Sequence, residues 1–506
     1  MQVPVFSRVT LKGTTMSIHN IYNARRMGPL GAPAPGRVPR GPELGVTRQS
    51  VSPWATDLNS VMQALPTPLS DQLQAGYTAP IRPLPGGLNR TPLLNSNHPE
   101  VIRGPGIAVS TFPWPQAAHQ NFAFRGPFEM FTHHQNRSSR DLYQAVVLFN
   151  ASDRPVGVEA FESAAAITRD APYRDHGPDP VPDPLNQRAS GPGDRIAGDI
   201  LRGKRVITEQ KMVLAPGELR IVHTLRLPPS NEGTSAFRFR SDGPVHAAVV
   251  FEDAQPSAGD VANRLRSGQL LARNPEDKPP TPPGSNAPFV FGRVAGVQEG
   301  AKWQGTITTP GAVDYLIDDQ DNQEAFILVG KRTNTLNTGQ DHAAPLLTRY
   351  PDASYAAHGN YGVTYDLSIP LRNTSARERT VQLFMDSPGG PLPVSRVFRG
   401  SIGIDITDSL GNTDTQWVHV SQVAGEVPNT PLTRITLRPG ETQNVRIRIA
   451  YPANATPPHA LRIASSPPNE TPTSSRSTLR QWAEATDQAL TETLERWRSP
   501  RRRTTF

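Results

Sequence analysis

Three groups of residues in this 506-residue chain have types and spacings that bear on chemistry. His119, His133 and His134 lie within sixteen residues, and imidazole nitrogens are common metal ligands. Adjacent histidines on a strand point to opposite faces, however, so His133 and His134 share one ion there only across a bulge. Hydrogen-bonded structural histidines are the competing expectation. The segment IDDQDNQE gathers Asp318, Asp319, Asp321 and Glu324, hard oxygen donors of the sort calcium takes, but it lacks the glycine at position six of a helix–loop–helix calcium loop. A solvated acidic loop is the leading reading, and a calcium site the alternative. The block HGNYGVTY (358–365) is the candidate binding site. Gly359 and Gly362 leave backbone accessible, while Tyr355, Tyr361 and Tyr365, with His358 among them, supply faces on which a sugar ring could stack. Core or turn packing is the alternative role for these residues.

Other chemistries lack their residues. With no cysteine there are no disulfides, thiolate zinc sites, cysteine-ligated clusters or cysteine nucleophile. No H-E-x-x-H helix, G-x-S-x-G elbow or glycine-rich phosphate loop is present. No catalytic residue and no cofactor is expected, and the chain reads as a non-enzyme.

The formal charge of +7 resides at the ends. Residues 1–50 carry seven basic side chains against Glu43 alone, and residues 496–506 carry five arginines and no acid. Removing these twelve basic and one acidic residues from the totals of 52 and 45 leaves 40 and 44, a mildly acidic body. That distribution argues against a specific nucleic-acid face. Arg498, Arg501, Arg502 and Arg503 are instead candidates for peripheral contact with an anionic surface. No apolar run is long enough for a membrane-spanning helix. The first residues also lack the apolar core of an export signal, and a start at Met16 or Met27 would not create one.

Proline makes up 53 of the 506 residues, about twice the usual share, which favours strands, turns and linkers. Residues 1–85 read as a proline-rich arm, largely extended or disordered. Two β units follow, at 86–255 and 289–470, separated by a helix (DVANRLRSGQLLA) and a proline-rich linker at 256–288. A C-terminal amphipathic helix and basic tail occupy 471–506. The two units carry an internal repeat. AVVLFNASDRPVGVEAFES is echoed by DLSIPLRNTSARERTVQLFMDS, and MVLAPGELRIVHTLRLP by ITLRPGETQNVRIRIAYP. Asn150 and Asn373 stand 223 residues apart, as do Pro216 and Pro439. A weaker echo, Leu201-Arg202-Gly203 against Phe398-Arg399-Gly400, has an offset of 197. The expected fold is all-β: two duplicated, antiparallel, immunoglobulin-like sandwiches.

Several blocks resemble the cyanobacterial domain-of-unknown-function family 3370: LNSNHPEVIRGPGIAVSTFP, AHQNFAFRGPFEMFTHHQNR, the LRG and LAPGE pair, FGRVAGV, and RYPDASYAAHGNYGVTYDLSIPLRNTS. The resemblance implies an envelope, periplasmic or extracellular setting and no established activity; with no export signal in view, the cytoplasm is the alternative. The expected function is a non-enzymatic structural or interaction protein whose partner is an envelope component, a polysaccharide or a protein. A carbohydrate-binding module is the alternative, and a hydrolase with a site on sandwich loops the third reading.

Overall fold

Period-2 runs become strands because alternate side chains reach opposite faces. In the segment Thr442–Ala450, Val445, Ile447 and Ile449 are buried whereas Asn444 and Arg446 are exposed. The structure, a computed structural model, describes residues 77–468 except 175, 178, 276, 334, 390–396 and 424. The C-terminal helix, the basic tail with Arg498, Arg501, Arg502 and Arg503, and nearly all of the proline-rich arm lie outside the described residues.

The chain opens with short strands β1 (Ile81–Arg82), β2 (Gly87–Leu88), β3 (Pro92–Ser96), β4 (Val101–Ile102) and β5 (Gly106–Ser110). Longer ones follow: β6 (Phe124–Asn136), β7 (Leu142–Phe149) and β8 (Val156–Ile167). After β9 (Val181–Pro182) and helix α1 (Pro192–Leu201) come β10 (Lys211–Leu214), β11 (Leu219–Leu227), β12 (Glu232–Glu252) and helix α2 (Ala258–Ser267). The second half has β13 (Ala295–Glu299), β14 (Lys302–Thr306), β15 (Tyr315–Ile317), β16 (Gln323–Val329), β17 (Ala344–Arg349), β18 (Ala356–Ala357) and β19 (Thr364–Asn373). It ends with β20 (Arg379–Asp386), β21 (Phe398–Thr407), β22 (Thr413–Gln422), β23 (Thr433–Leu437), β24 (Thr442–Ala450) and β25 (His459–Ser466).

These strands make three sheets. A twelve-stranded sheet follows the path β10-β8-β12-β6-β3-β13-β17-β18, with β5, β7 and β11 reached through the far end of β12 and β4 lying on β6. A five-stranded sheet, β1-β16-β25-β20-β23, and an eight-stranded one, β2-β14-β19-β24-β21-β22-β9 with β15 on β19, are built mainly from the second half, with β1, β2 and β9 contributed from earlier in the chain. Leu383 and Ile463 of the five-stranded sheet share a core with Leu367 and Ile447 of the eight-stranded sheet. A separate core, including Phe128, Val146, Phe237 and Val249, fills the first half. Strand β12 serves both layers: residues up to Ser241 pair with β6 and β8, those after Val245 with β5 and β7. The Asp242-Gly243-Pro244 run between them, which reads as a turn, is the irregularity at which the strand changes layers.

The sheets are mixed, a correction to the antiparallel expectation. β1 runs parallel to β16, β3 to β6, and both β14 and β15 to β19. The parallel partners are short segments brought from far along the chain, and no tight hairpin fixes their direction. Strands β13 and β17, beyond the linker, also join the sheet of β6, β8 and β12 through β3.

Pairings recur along the chain. Phe149 faces Leu219 as Arg372 faces Thr442, and Val156 faces Leu214 as Arg379 faces Leu437. Each pair is displaced by 223 residues. The turns match by hydrogen bond. Asn150 Nδ2 donates to the carbonyls of Arg154 (2.8 Å) and Leu214 (2.9 Å), and Asn373 Nδ2 to those of Arg377 (2.8 Å) and Leu437 (2.9 Å). The Gly217 and Gly440 amides donate to the Asn150 and Asn373 carbonyls, both at 2.9 Å. Both glycines take positive φ, 73° and 74°, where a side chain would be strained. The LRG and FRG echo does not correspond: Leu201 ends α1 and Phe398 begins β21. Asn136, outside the 223-residue repeat, makes the same bonds, to the carbonyls of Arg140 and Leu227 (both 2.8 Å). The pattern N-x-S-x-R is common to all three turns.

The expected helix forms at Ala258–Ser267, capped by the reciprocal Ser257–Asp260 box and stopped at left-handed Gly268, short of Leu270 and Leu271. Helix α1 has no counterpart in the sequence reading. Its buried Ile196, Ala197 and Ile200 join Leu93, Phe131, Ala450 and Ala453 in a small seam between the halves. Strand β9 pairs with β22 beside it, and buried Asp194 of α1 meets His419 Nε2 at 2.8 Å.

Candidate functional site

A cavity of about 50 Å³ opens where the ends of β3, β16, β18 and β25 approach the segment before β13. Its walls include Asn95, Asn97, Phe291, Lys331, His358 and Tyr361. Each is delivered by a strand end: Asn95 and Asn97 by β3, Lys331 by the turn after β16, His358 and Tyr361 by the loop between β18 and β19. Phe289, Phe291 and His358 form an edge-to-face cluster with centroid separations of 5.0 to 5.4 Å. Lys331 Nζ lies 5.6 Å from the Phe291 ring centroid, within cation–π range. Burial pulls the ammonium down to about 8. Burial, reinforced by Arg332 and Lys331, brings His358 down to about 4, so at neutral pH the site holds a neutral imidazole and a lysine that is still largely charged.

The residues anticipated for sugar stacking divide here. His358 and Tyr361 line the cavity. Tyr361 donates its hydroxyl to the Ala455 carbonyl (2.9 Å) and stacks on Tyr451. Tyr365 is fully buried beneath, its hydroxyl accepting from Asn360 Nδ2 at 3.0 Å; this is a core role, and burial raises its pKa. Tyr355 lies under the Arg349 guanidinium, 3.7 Å from ring centroid to Cζ, and is not among the cavity walls. Lys331, Phe291 and Asn97 were not anticipated. A lysine following the apolar run FILVG reads as an exposed strand end, and its burial arises from distant segments.

The metal candidates are placed otherwise. Asp321 Oδ1 accepts from Arg379 Nη2 (2.6 Å), Glu324 Oε2 from Arg82 Nη1 (2.7 Å), and Asp318 Oδ1 from the Gln320 amide and Asn322 Nδ2. Asp319 stands exposed beside them. Among the described residues no three histidines or carboxylates converge in a possible metal-binding group; at the acidic run, arginines and turn amides take up the oxygens. His133 and His134 are buried on β6, with His133 Nδ1 bonded to Thr234 Oγ1 (2.9 Å) and His134 to Ser96 Oγ (2.9 Å) and the Pro99 carbonyl (2.8 Å). His119 bridges Ser110 Oγ (2.8 Å) and the Leu265 carbonyl (3.0 Å). Burial lowers His133 and His134 to about 4 and about 3, and His119 in the same direction.

Among the described residues no helix is long and apolar enough to cross a membrane. No curated protein matches the chain. Solved structures similar to it include Lac15 from a marine microbial metagenome, at 11% identity over 68% of this chain and 53% of that one, TM-score 0.11. The PBSX exported protein XepA shows 8% identity over 67% and 86%, TM-score 0.12. The CUB1-EGF-CUB2 domain of human MASP-1/3 shows 9% over 66% and 99%, TM-score 0.15. This chain spans about half the length of Lac15, and likenesses at these scores carry no argument about fold or function. The family description "Protein of unknown function (DUF3370)" matches residues 79–465, which take in the paired asparagine turns, the seam and the whole cavity; the chain belongs to the DUF3370 family.

Proposed function

We propose that this protein is a non-enzymatic structural or interaction protein of the cell envelope or cell surface, built from two immunoglobulin-like β-sandwich units that arose by duplication. The atom-for-atom reuse of the Asn150 and Asn373 turns supports the duplication. The observation that carries the function is the seam: α1 and β9, which lie between β8 and β10, pack on β21, β22 and β24. This segment of the first half is spent on joining the halves, leaving loops for contact. The histidines that would serve a hydrolase are engaged by Thr234, Ser96 and Ser110.

The test is the cell fraction and mature N-terminus of the native protein, with retention on isolated envelopes. A cytoplasmic protein with no affinity for envelopes overturns the reading. Turnover lost in a folded His133→Ala variant would favour the hydrolase instead. The basic tail supplies a peripheral contact in this reading: a chain ending at Ser475 should leave anionic vesicles more readily than the intact chain, and 1 M salt should erase the difference.

A second reading, carbohydrate binding, is favoured by the Phe289, Phe291 and His358 cluster at the cavity. Immobilised-glycan binding lost in Tyr361→Ala would support it.

A further inference from the structure

Lys331 is only 4% exposed, yet among the described residues its ammonium makes no hydrogen bond and no ion pair, and a ring face is its contact. An isolated cation taken from water is destabilising unless something compensates it. Other groups on the same walls are also unmatched: Asn95 Oδ1, Asn97 Oδ1 and His358 Nδ1 are buried without hydrogen-bond partners. Buried polar groups of this kind are normally satisfied, and here three of them border the cavity that Lys331 also lines.

We propose that the cavity is a binding site for an acidic sugar: Lys331 pairs with the carboxylate of a uronic-acid residue, Asn95, Asn97 and His358 engage its hydroxyls, and Phe291 and Tyr361 wall its C–H face. The chemistry selects this class. A cation asks for an anionic oxygen, and several buried acceptors ask for donors, which a polyhydroxylated acid brings in greater number than the one or two hydroxyls of inorganic phosphate at neutral pH. The cavity volume of about 50 Å³ exceeds the roughly 10–15 Å³ that one water needs on a probe basis and admits a carboxylate. The ring then rests at the mouth against half-buried Phe289 and Phe291. Lys331 remains largely charged at neutral pH. The proposal rests on the carbohydrate reading and names its ligand class; it is independent of the envelope reading, and binding of glucose equal to that of glucuronate would sink the proposal while leaving carbohydrate binding in place.

Calorimetric titration of the full chain with glucuronate, glucose, acetate and inorganic phosphate tests it. Glucuronate should bind at least tenfold more tightly than each of the others. Lys331→Met should lose at least tenfold in glucuronate affinity and, without ligand, melt at a higher temperature than the parent, because an uncompensated buried cation has been removed. Asn97→Ala should weaken glucuronate while leaving acetate unchanged, and it provides a second variant should Lys331→Met fail to fold. Equal binding of glucose and glucuronate, tighter binding of phosphate, or unaltered affinity in folded Lys331→Met would overturn the proposal; so would a lower melting temperature in that variant, which would show that the lysine is there for stability.

Discussion

The two halves share their turns and differ in what lies between them. In each half an asparagine pins a Pro-Gly turn through equivalently placed carbonyls, and strands β7, β8, β10 and β11 pair in the same registers as β19, β20, β23 and β24. Between β8 and β10 the chain forms β9 and α1, whereas between β20 and β23 it forms the hairpin β21–β22. The lesson is one of range. A pinned turn acts over a few residues and survives wherever its asparagine, proline and glycine survive. An insertion takes whatever form its own pattern and neighbours allow: SIGIDIT and TQWVHV alternate and become strands, while PGDRIAGDIL supplies a short apolar stripe to the seam.

The largest expected effect is acid sensitivity in both halves. His133 and His134 in the first half sit at about 4 and about 3, and His342 and His459 in the second at about 3, all lowered by burial from 6.5. A lowered histidine pKa means that the unfolded chain takes up protons first. Stability is therefore complete above pH 6.5 and falls by up to about 1.4 kcal/mol per pH unit per histidine until the folded pKa is reached. Buried Glu129, Glu232 and Asp386, whose pKa values burial raises, offset part of the loss at the acid end. The melting temperature should drop by roughly ten degrees between pH 7 and pH 5, and a flat profile would show that these imidazoles are reached by water.

Asp194→Ala comes next. It strips the partner from buried His419 and from the Ser190 amide and should cost about 3 kcal/mol in urea unfolding. Calorimetry of the variant sharpens the comparison: two resolved transitions would mean that each half holds its own fold once the seam is weakened. Asn150→Ala and Asn373→Ala should each cost about 2 kcal/mol and agree within about 1 kcal/mol; a large disparity would break the equivalence of the turns. Gly217→Ala and Gly440→Ala should be the mildest, about 1 kcal/mol apiece, again as a matched pair.

What could be read in advance follows the same division by range. The strands around Asn150 and Asn373 were legible because alternation and turn chemistry lie within a dozen residues. Asn136 shows that the N-x-S-x-R turn motif extends beyond the pair related by 223 residues. Helix α1 is hidden in the sequence because glycines and aspartates weaken its local signal, and its buried face is set by residues distant in sequence, Leu93, Phe131, Ala450 and Ala453 among them. At the cavity, His358 and Tyr361 announced themselves by type. Lys331 did not, since Phe291 and Thr456, which help to enclose it, come from other parts of the chain. The acidic run misled because arginines far away in sequence, Arg82 and Arg379, hold its oxygens.

The seam also sets a timetable for synthesis. Ile196 and Ile200 leave the ribosome long before Ala450 and Ala453, which complete their core. At roughly 5–20 residues per second, the interval of about 250 residues lasts on the order of 12 to 50 seconds. Throughout that time the helix rests on Ala164 and Ala166 of its own half, while its far side and the strand edge at Val181–Pro182 have no partner yet made, so passage of the nascent first half through the cell depends on whatever shields that remaining surface until the last strands emerge.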